Sequence, residues 1–464
     1  MSRRTLRTPP GMRDFLPSEK RQREWVIGRI RAVFERFGYE PIETPALELL
    51  ETLKGKLGEE GEQLLFKVLR RGTALEDLRL GRVSQVTVTD YDEVVDYALP
   101  YDLTVPFSRF LAMHPNLPRP FKRYQIQRVW RAEKPQRGRY REFYQCDVDV
   151  AGSESMLADA EIITVAIEAL LELGFTDFRT RIGHRKILDG LVEWAGGAER
   201  FTDICVSIDK LEKIGLSGVR EELARREVPQ EVAARLLGQL TETGEASAQL
   251  TRLERTLADT RNGPAGIAEM RELLDALAAM GLPQDRYLFD LNLARGLDYY
   301  TGPVFETFVE TPPIGSLTGG GRYDDLIGRF SGQPLAATGT SIGLERILDV
   351  MQEFDMLPTS RAVSEVLVTI FDDASRIPAL RLAAELRRAG ICTEFPLRRT
   401  KGLRQQIAYA SSKQIPLLAI LGPDELREDR VTLRAGPGNQ RSVARADVAA
   451  EARRFLQELV RTPA

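Results

Sequence analysis

Histidine is almost missing from this sequence: two residues in 464, His114 and His184. Neither stands in a recognisable motif, so histidine acid–base chemistry has few candidates and a catalytic triad has no support. The three cysteines, Cys146, Cys205 and Cys392, form no CxxC pair and lie far along the chain from either histidine. That spacing predicts no zinc site and no disulfide, and it gives the thiols packing roles. No apolar run approaches the ~20 residues that cross a bilayer. The basic start, MSRRTLRTPPGMRDF, lacks the apolar stretch of a secretory signal. A cytoplasmic chain with no membrane passage is expected. A GxxxxGK[ST] phosphate loop is absent, and Gly319–Asp324 fails the dinucleotide fingerprint because Asp324 holds the third glycine position.

What is present is length and local asymmetry. A chain of 464 residues has room for two or three domains at roughly 100–200 residues each. Its net charge of −3 excludes a uniformly basic nucleic-acid binder. Residues 122–141 nevertheless carry eight basic side chains against one acid, Glu133, and residues 363–464 carry 17 Lys and Arg against 12 Asp and Glu. The first cluster is interleaved with aromatics; the second is too slight to decide anything.

Apolar residues Val26, Ile30, Val33, Phe34 and Phe37 follow helical spacing up to Gly38. An extended segment, YEPIETPALE, comes next. Alternation in FKRYQIQRVWR and RYREFYQCDVDVAG, on either side of the charged turn EKPQRG, predicts an antiparallel pair over 121–150. The expected architecture is α+β. An antiparallel core occupies 1–204 and 286–358, a helical insertion fills 205–285, and a small α/β domain with a largely parallel sheet covers 363–464. Past Ser364 the sequence reads strand, helix, strand, helix, strand as far as IPLLAILG.

Phosphate chemistry here must run on arginines, whose fixed planar fork grips phosphate oxygens and stabilises developing charge. They stand in RVWRAEKPQRGRYREF, LARGLDYYTGPVFE and GTSIGLERI. Singly, Arg131 or Arg346 reads equally well as a surface charge. Together, in this order, the segments resemble the histidyl-tRNA synthetase family, and the resemblance runs from GMRDFLP to the last domain. The stretch ending at Pro45 resembles the first class II motif, residues 121–150 the second, and GTSIGLERI the third. RGLDYYTG and GGGRYD resemble the histidine branch.

That resemblance implies a class II ligase core followed by an anticodon-binding α/β domain. It implies ATP, magnesium, L-histidine and tRNA(His) as reactants or partners, and a homodimer. Arg131, Arg295 and Arg346 would be catalytic, and Arg131, Glu133, Arg139, Phe143 and Arg346 would hold ATP. Asp102, Thr104 and Gln145 would take the α-amino group, Asp149 and Tyr300 the imidazole, with Tyr299 and Tyr323 lining the same pocket. Gln136 would meet the tRNA acceptor end; the resemblance does not name the side chains that read the anticodon, and Arg398, Arg399 and Lys401 are candidate phosphate or base contacts there.

A carboxylate and a phenol can satisfy both ring nitrogens of a buried imidazole. A site so built rejects analogues that lack those groups by roughly 10⁴–10⁵, and no segment resembles an editing domain. By itself Asp149 reads as a strand-end carboxylate in a salt bridge. The chain departs from the family at Pro100, where a basic residue is usual, and at Asp325, where glycine is usual. A catalytically silent paralogue that senses histidine or tRNA is the alternative, and the retained arginines and tail argue against it.

Overall fold

The computed structural model describes residues 6–54, 63–70, 94–241, 244–293, 299–358, 362–397, 402–436 and 438–461. Two compact units divide the chain, one made of residues 1–14 and 23–357 and the other of residues 15–22 and 358–464.

The first unit contains the greater part of helix α1 (Pro17–Arg36), whose residues Val26, Ile30, Val33 and Phe34 are buried at the spacing of one helix face. Gly38, at φ +78°, supplies the left-handed turn that ends it. The extended segment then gives two short strands, β1 (Glu40–Pro41) and β2 (Glu48–Leu49). With β3 (Phe66–Leu69) and β4 (Val95–Leu99), strand β2 makes a three-stranded antiparallel sheet in the order β2-β4-β3. Helix α2 (Thr104–Met113) leads into β5 (Phe121–Trp130) and β6 (Glu142–Ala151), the antiparallel pair expected around the charged turn.

Helix α3 (Met156–Glu172) is apolar on nearly every side and almost wholly buried. Strand β7 (Arg179–His184) and helix α4 (Arg185–Ala195) come next. Five helices then occupy 201–279: α5 (Phe201–Ile208), α6 (Leu211–Arg225), α7 (Gln230–Leu240), α8 (Ala246–Thr256) and α9 (Gly263–Ala279). Their buried leucines join the same apolar cluster as α1 and α3. The chain returns through β8 (Tyr287–Phe289), β9 (Pro303–Phe308), β10 (Thr318–Arg322), β11 (Ala337–Gly343) and helix α10 (Leu344–Glu353).

Eight strands form the main sheet in the order β1-β5-β6-β11-β10-β9-β7-β8. Pairing is antiparallel except at the two ends, where β1 runs with β5 and β8 with β7. Strand periodicity sorts its faces. On β6, Cys146, Val148 and Val150 join the core under α1 and α3, while Gln145, Asp147 and Asp149 point to the opposite face. That second face is where the chemistry collects.

The second unit has a five-stranded sheet in the order β13-β12-β14-β15-β16. Strands β12 (Val366–Val368), β13 (Thr393–Glu394) and β14 (Leu417–Ile420) run parallel, joined through helices α11 (Asp373–Arg388) and α12 (Leu403–Lys413). Strands β15 (Arg430–Arg434) and β16 (Gln440–Ala444) add an antiparallel hairpin that the strand–helix reading did not contain. Helix α13 (Val448–Arg461) closes the unit. Asp372 caps α11, accepting from Ser375 N at 2.8 Å while Ser375 Oγ takes the Asp372 N–H at 2.8 Å. Arg398, Arg399 and Lys401 lie outside the described residues.

Candidate active site

A cavity of about 410 Å³ opens on the polar face of the main sheet. It gathers Asp102 and Thr104 from the start of α2, Arg131, Glu133, Arg139 and Phe143 from the β5–β6 hairpin, and Gln145 and Asp149 from β6. Tyr299, Tyr300, Tyr323 and Arg346 complete the wall. Every candidate substrate residue among the described ones therefore meets in one place, although they span 245 positions of sequence from Asp102 to Arg346. Arg295 lies outside the described residues. Gln136 does not line the cavity; it sits at the exposed tip of the hairpin, where its N–H and carbonyl pair with Arg139 at 3.0 and 2.9 Å. Pro100 and Asp325 are also off the cavity wall, and the Pro100 carbonyl accepts from Trp130 N at 2.9 Å.

One end of the cavity is cationic. Arg131 Nε donates to the Tyr101 carbonyl at 2.9 Å, and its guanidinium lies 5.1 Å from the centre of the Phe143 ring. Arg139 pairs loosely with Glu133 at 3.5 Å. Arg346, in the first turn of α10, donates from Nε to the Gly138 carbonyl at 3.2 Å and is held by Ser316 as well. The neighbouring Glu345 is buried and takes Arg23 through two hydrogen bonds, at 2.6 and 2.8 Å, with Arg13 as a further partner. Arg13 also lies over the Tyr140 ring at 3.5 Å, and the Gly11 carbonyl accepts from Arg141 N at 2.9 Å. The GMRDF segment thus braces the hairpin loop and α10 together.

The other end is acidic and aromatic. Asp149 accepts from the Tyr323 hydroxyl on one oxygen, and Arg123, fully buried on β5, approaches the other at 2.7 Å. That second contact is an ion pair without hydrogen-bond alignment, so Asp149 Oδ2 and Arg123 Nε have no aligned partner among the described residues. The salt bridge and the pocket position coexist. Gln145 Nε2 donates to Ser341 Oγ at 2.8 Å, and the Tyr299 and Tyr300 rings meet with centroids 4.2 Å apart. Burial raises the carboxyl of Asp102 to about 6 and that of Asp147 to about 7, against the pull of Arg123 and, for Asp102, of the Val105 N–H and Arg131. Asp149 moves up too, by burial, with Arg123 opposing.

Glycine makes the acidic end possible. A Cβ at Gly339 would stand 1.9 Å from Asp149 Oδ1, and one at Gly320 would stand 2.1 Å from the Gly339 carbonyl oxygen. Gly339→Ala is therefore expected to displace the Asp149 carboxylate and to cost on the order of 1–3 kcal/mol through overpacking. Urea denaturation reads it, and a loss below ~0.5 kcal/mol would contradict the packing described.

Residues 11–347 match the family described as Histidyl-tRNA synthetase, and residues 365–454 match the one described as Anticodon binding domain. The chain belongs to the histidyl-tRNA synthetase family. A curated histidine–tRNA ligase of Porphyromonas gingivalis is 41% identical over 95% of this chain and 97% of its own length. The crystal structure of histidyl-tRNA synthetase from a Nostoc species superposes with a TM-score of 0.81 at 31% identity, over 97% of this chain and 99% of that one. A Bacillus halodurans structure, described as an ATP phosphoribosyltransferase regulatory subunit/histidyl-tRNA synthetase, reaches a TM-score of 0.71 at 25% identity over 90% of this chain and 99% of its own.

Within this member of the histidyl-tRNA synthetase family, motif reading missed Arg123, Asp147 and Glu345. Counting the strand pairing outward from the charged turn would have put Arg123 opposite Asp149. Period-two alternation would have put Asp147 on the Gln145 face. Glu345 gave no signal beyond its place beside Arg346. Among the described residues, no three His, Cys, Asp or Glu side chains gather as a metal cage. No described helix is long and apolar enough to cross a membrane.

Proposed function

We propose that the chain activates L-histidine with ATP and then esterifies it to the 3′ end of tRNA(His). The observation that carries this reading is a single cavity with arginines at one end and carboxylates and phenols at the other, in a chain whose relatives are named for this reaction along nearly their whole length. ATP lies along the arginine end, its adenine against Phe143 and its phosphates between Arg131 and Arg346, with Glu133 and Arg139 at the loop. Histidine fills the acidic end, its imidazole between Asp149 and Tyr300 beside Tyr299 and Tyr323, its amino group toward Asp102, Thr104 and Gln145. A carboxylate oxygen of histidine attacks the α-phosphorus, the bond to the bridging oxygen breaks, and pyrophosphate leaves. The terminal tRNA hydroxyl then attacks the acyl carbon, loses its proton and expels AMP. Arg131 and Arg346 stabilise charge that grows during the first step.

Gln136, at the exposed hairpin tip, faces the tRNA acceptor end. The unit formed by 363–464 recruits the anticodon arm, and residues 1–204 with 286–358 form the catalytic body around the 205–285 insertion. Dimerisation uses the three-stranded sheet, where Leu49, Leu69 and Tyr97 are exposed and Leu49 pairs directly with Tyr97. The reaction takes place in the cytoplasm, where tRNA and ATP are at hand.

The Bacillus halodurans likeness supports a second reading, a synthetase-like subunit that binds histidine without ligating it. Charging of tRNA(His) with labelled histidine by the purified chain separates the two. ATP-dependent histidyl-tRNA is the expected product. Histidine binding with no charged tRNA would favour the regulatory subunit.

A further inference from the structure

Two neighbouring acceptors on the strand face that lines the cavity are buried with no hydrogen-bond partner among the described residues: Gln145 Oε1 and Asp147 Oδ1. The local wiring leaves them so. Gln145 spends its amide N–H on Ser341 Oγ, at 2.8 Å, which leaves its oxygen as an acceptor without a partner. The Ser341 hydroxyl in turn hydrogen-bonds the Asp147 carboxyl. Arg123 is committed to Asp149 at 2.7 Å and stands 4.0 Å from Asp147. Asp102, buried in the same cavity, is near enough to act electrostatically on Asp147. Three buried carboxylates thus share Arg123 and Arg131, and a buried acceptor left unpaired costs free energy until a donor arrives.

An α-ammonium group carries three N–H donors and one positive charge. A carboxylate of Asp102, the Gln145 amide oxygen and the Asp147 carboxylate match it donor for acceptor and supply the missing opposite charge. We infer that Asp147 is a further substrate-binding and specificity residue, its Oδ1 receiving the α-ammonium of histidine together with Gln145 Oε1 and Asp102. This rests on the ligase reading above. It also sets a pH dependence. The groups facing Asp147 are Arg123 on β5, Asp149 on β6, Ser341 on β11, Asp102 ahead of α2, and the Tyr299 and Tyr323 hydroxyls. Burial lifts Asp147 to about 7, so acidification protonates it and removes the charge the ammonium seeks.

The test compares the full-length parent with Asp147→Asn in histidine-dependent pyrophosphate exchange. KM is measured for histidine and for ATP, as is inhibition by 3-(imidazol-4-yl)propionate, which keeps the ring and carboxylate but lacks the amino group. The histidine KM should rise about tenfold to a hundredfold, the range for a lost charged hydrogen bond. The ATP KM and the analogue's inhibition constant should stay within about twofold. In the parent, the histidine KM should rise between pH 8 and 6, and in the variant that rise should shrink to the part due to Asp102 and the substrate ring. An unchanged histidine KM overturns the inference. So does parallel weakening of the analogue or of ATP, which would place Asp147 at the ring or make it merely structural. If Asp147→Asn does not fold, Asp147→Ser is read by the same criteria. Failure of the parent to exchange with histidine at all counts against the ligase reading and is seen before any variant is made.

Discussion

Arg131→Ala is expected to slow histidine-dependent adenylate formation by roughly 10²–10³, the scale for removing one preorganised electrostatic group from a reacting centre. The side chain is prepared for that work before any substrate binds: Nε is tied to the Tyr101 carbonyl at 2.9 Å, and the guanidinium sits by the Phe143 ring in the cavity wall. A fork fixed in this way needs little rearrangement when negative charge builds on the α-phosphoryl oxygens, so it stabilises the transition state more than the ground state. Single-turnover rates with saturating ATP and histidine check this, alongside equilibrium binding of each substrate. Dissociation constants should change by less than about tenfold. A rate within about threefold of the parent, ~0.7 kcal/mol, would return Arg131 to a surface charge.

Arg123→Met should cost more stability than any other single change in the pocket, about 3–5 kcal/mol, because it leaves Asp149 and Asp147 buried without their cation. The size of the loss depends on pH, and its sign follows from proton counting. Without Arg123 both folded-state carboxyls move further up from the ordinary carboxylate value, away from where they titrate in the unfolded chain. At neutral pH the native variant then holds protons that the unfolded chain has released, so its stability falls as pH rises. Urea denaturation of parent and variant should show the gap widening as pH rises through about 7, where the parent's Asp147 releases its proton and the variant's does not. A gap that is constant with pH would mean that Arg123 contributes through packing, for example over the Phe107 ring at 4.3 Å, and not through charge.

What the sequence made legible follows from how local each signal is. Helix α1 could be read from Val26, Ile30, Val33 and Phe34 and from Gly38, because its apolar face and its stop lie within twenty residues. The β5–β6 hairpin could be read from alternation flanking EKPQRG. Arg131, Phe143 and Arg346 came from motifs that stay contiguous in the chain. The bracing of the site did not, because its partners are remote: Glu345 pairs with Arg23 across 322 positions, and Tyr323 with Asp149 across 174. No spacing rule reaches that far. Asp147 was hidden for another reason. It stands between two residues that the motif names, and only its free oxygen, visible in three dimensions, separates it from a routine strand carboxylate.

The tail shows a third kind of miss. The strand and helix signals up to IPLLAILG suggested a parallel sheet, yet VTLRA and QRSVA flank GPGN, a turn signal that folds β15 and β16 back as an antiparallel pair. The β–α rhythm established earlier in the domain obscured it.

Pyrophosphate exchange with the purified chain, ATP and each of the twenty amino acids in turn is the most direct test of the account. The acidic and phenolic end of the cavity, with Asp149 held by Tyr323 and Arg123, predicts exchange with histidine and rates with the other nineteen lower by a factor of about 10⁴ or more. Equal exchange with another amino acid, or none with histidine, would contradict it.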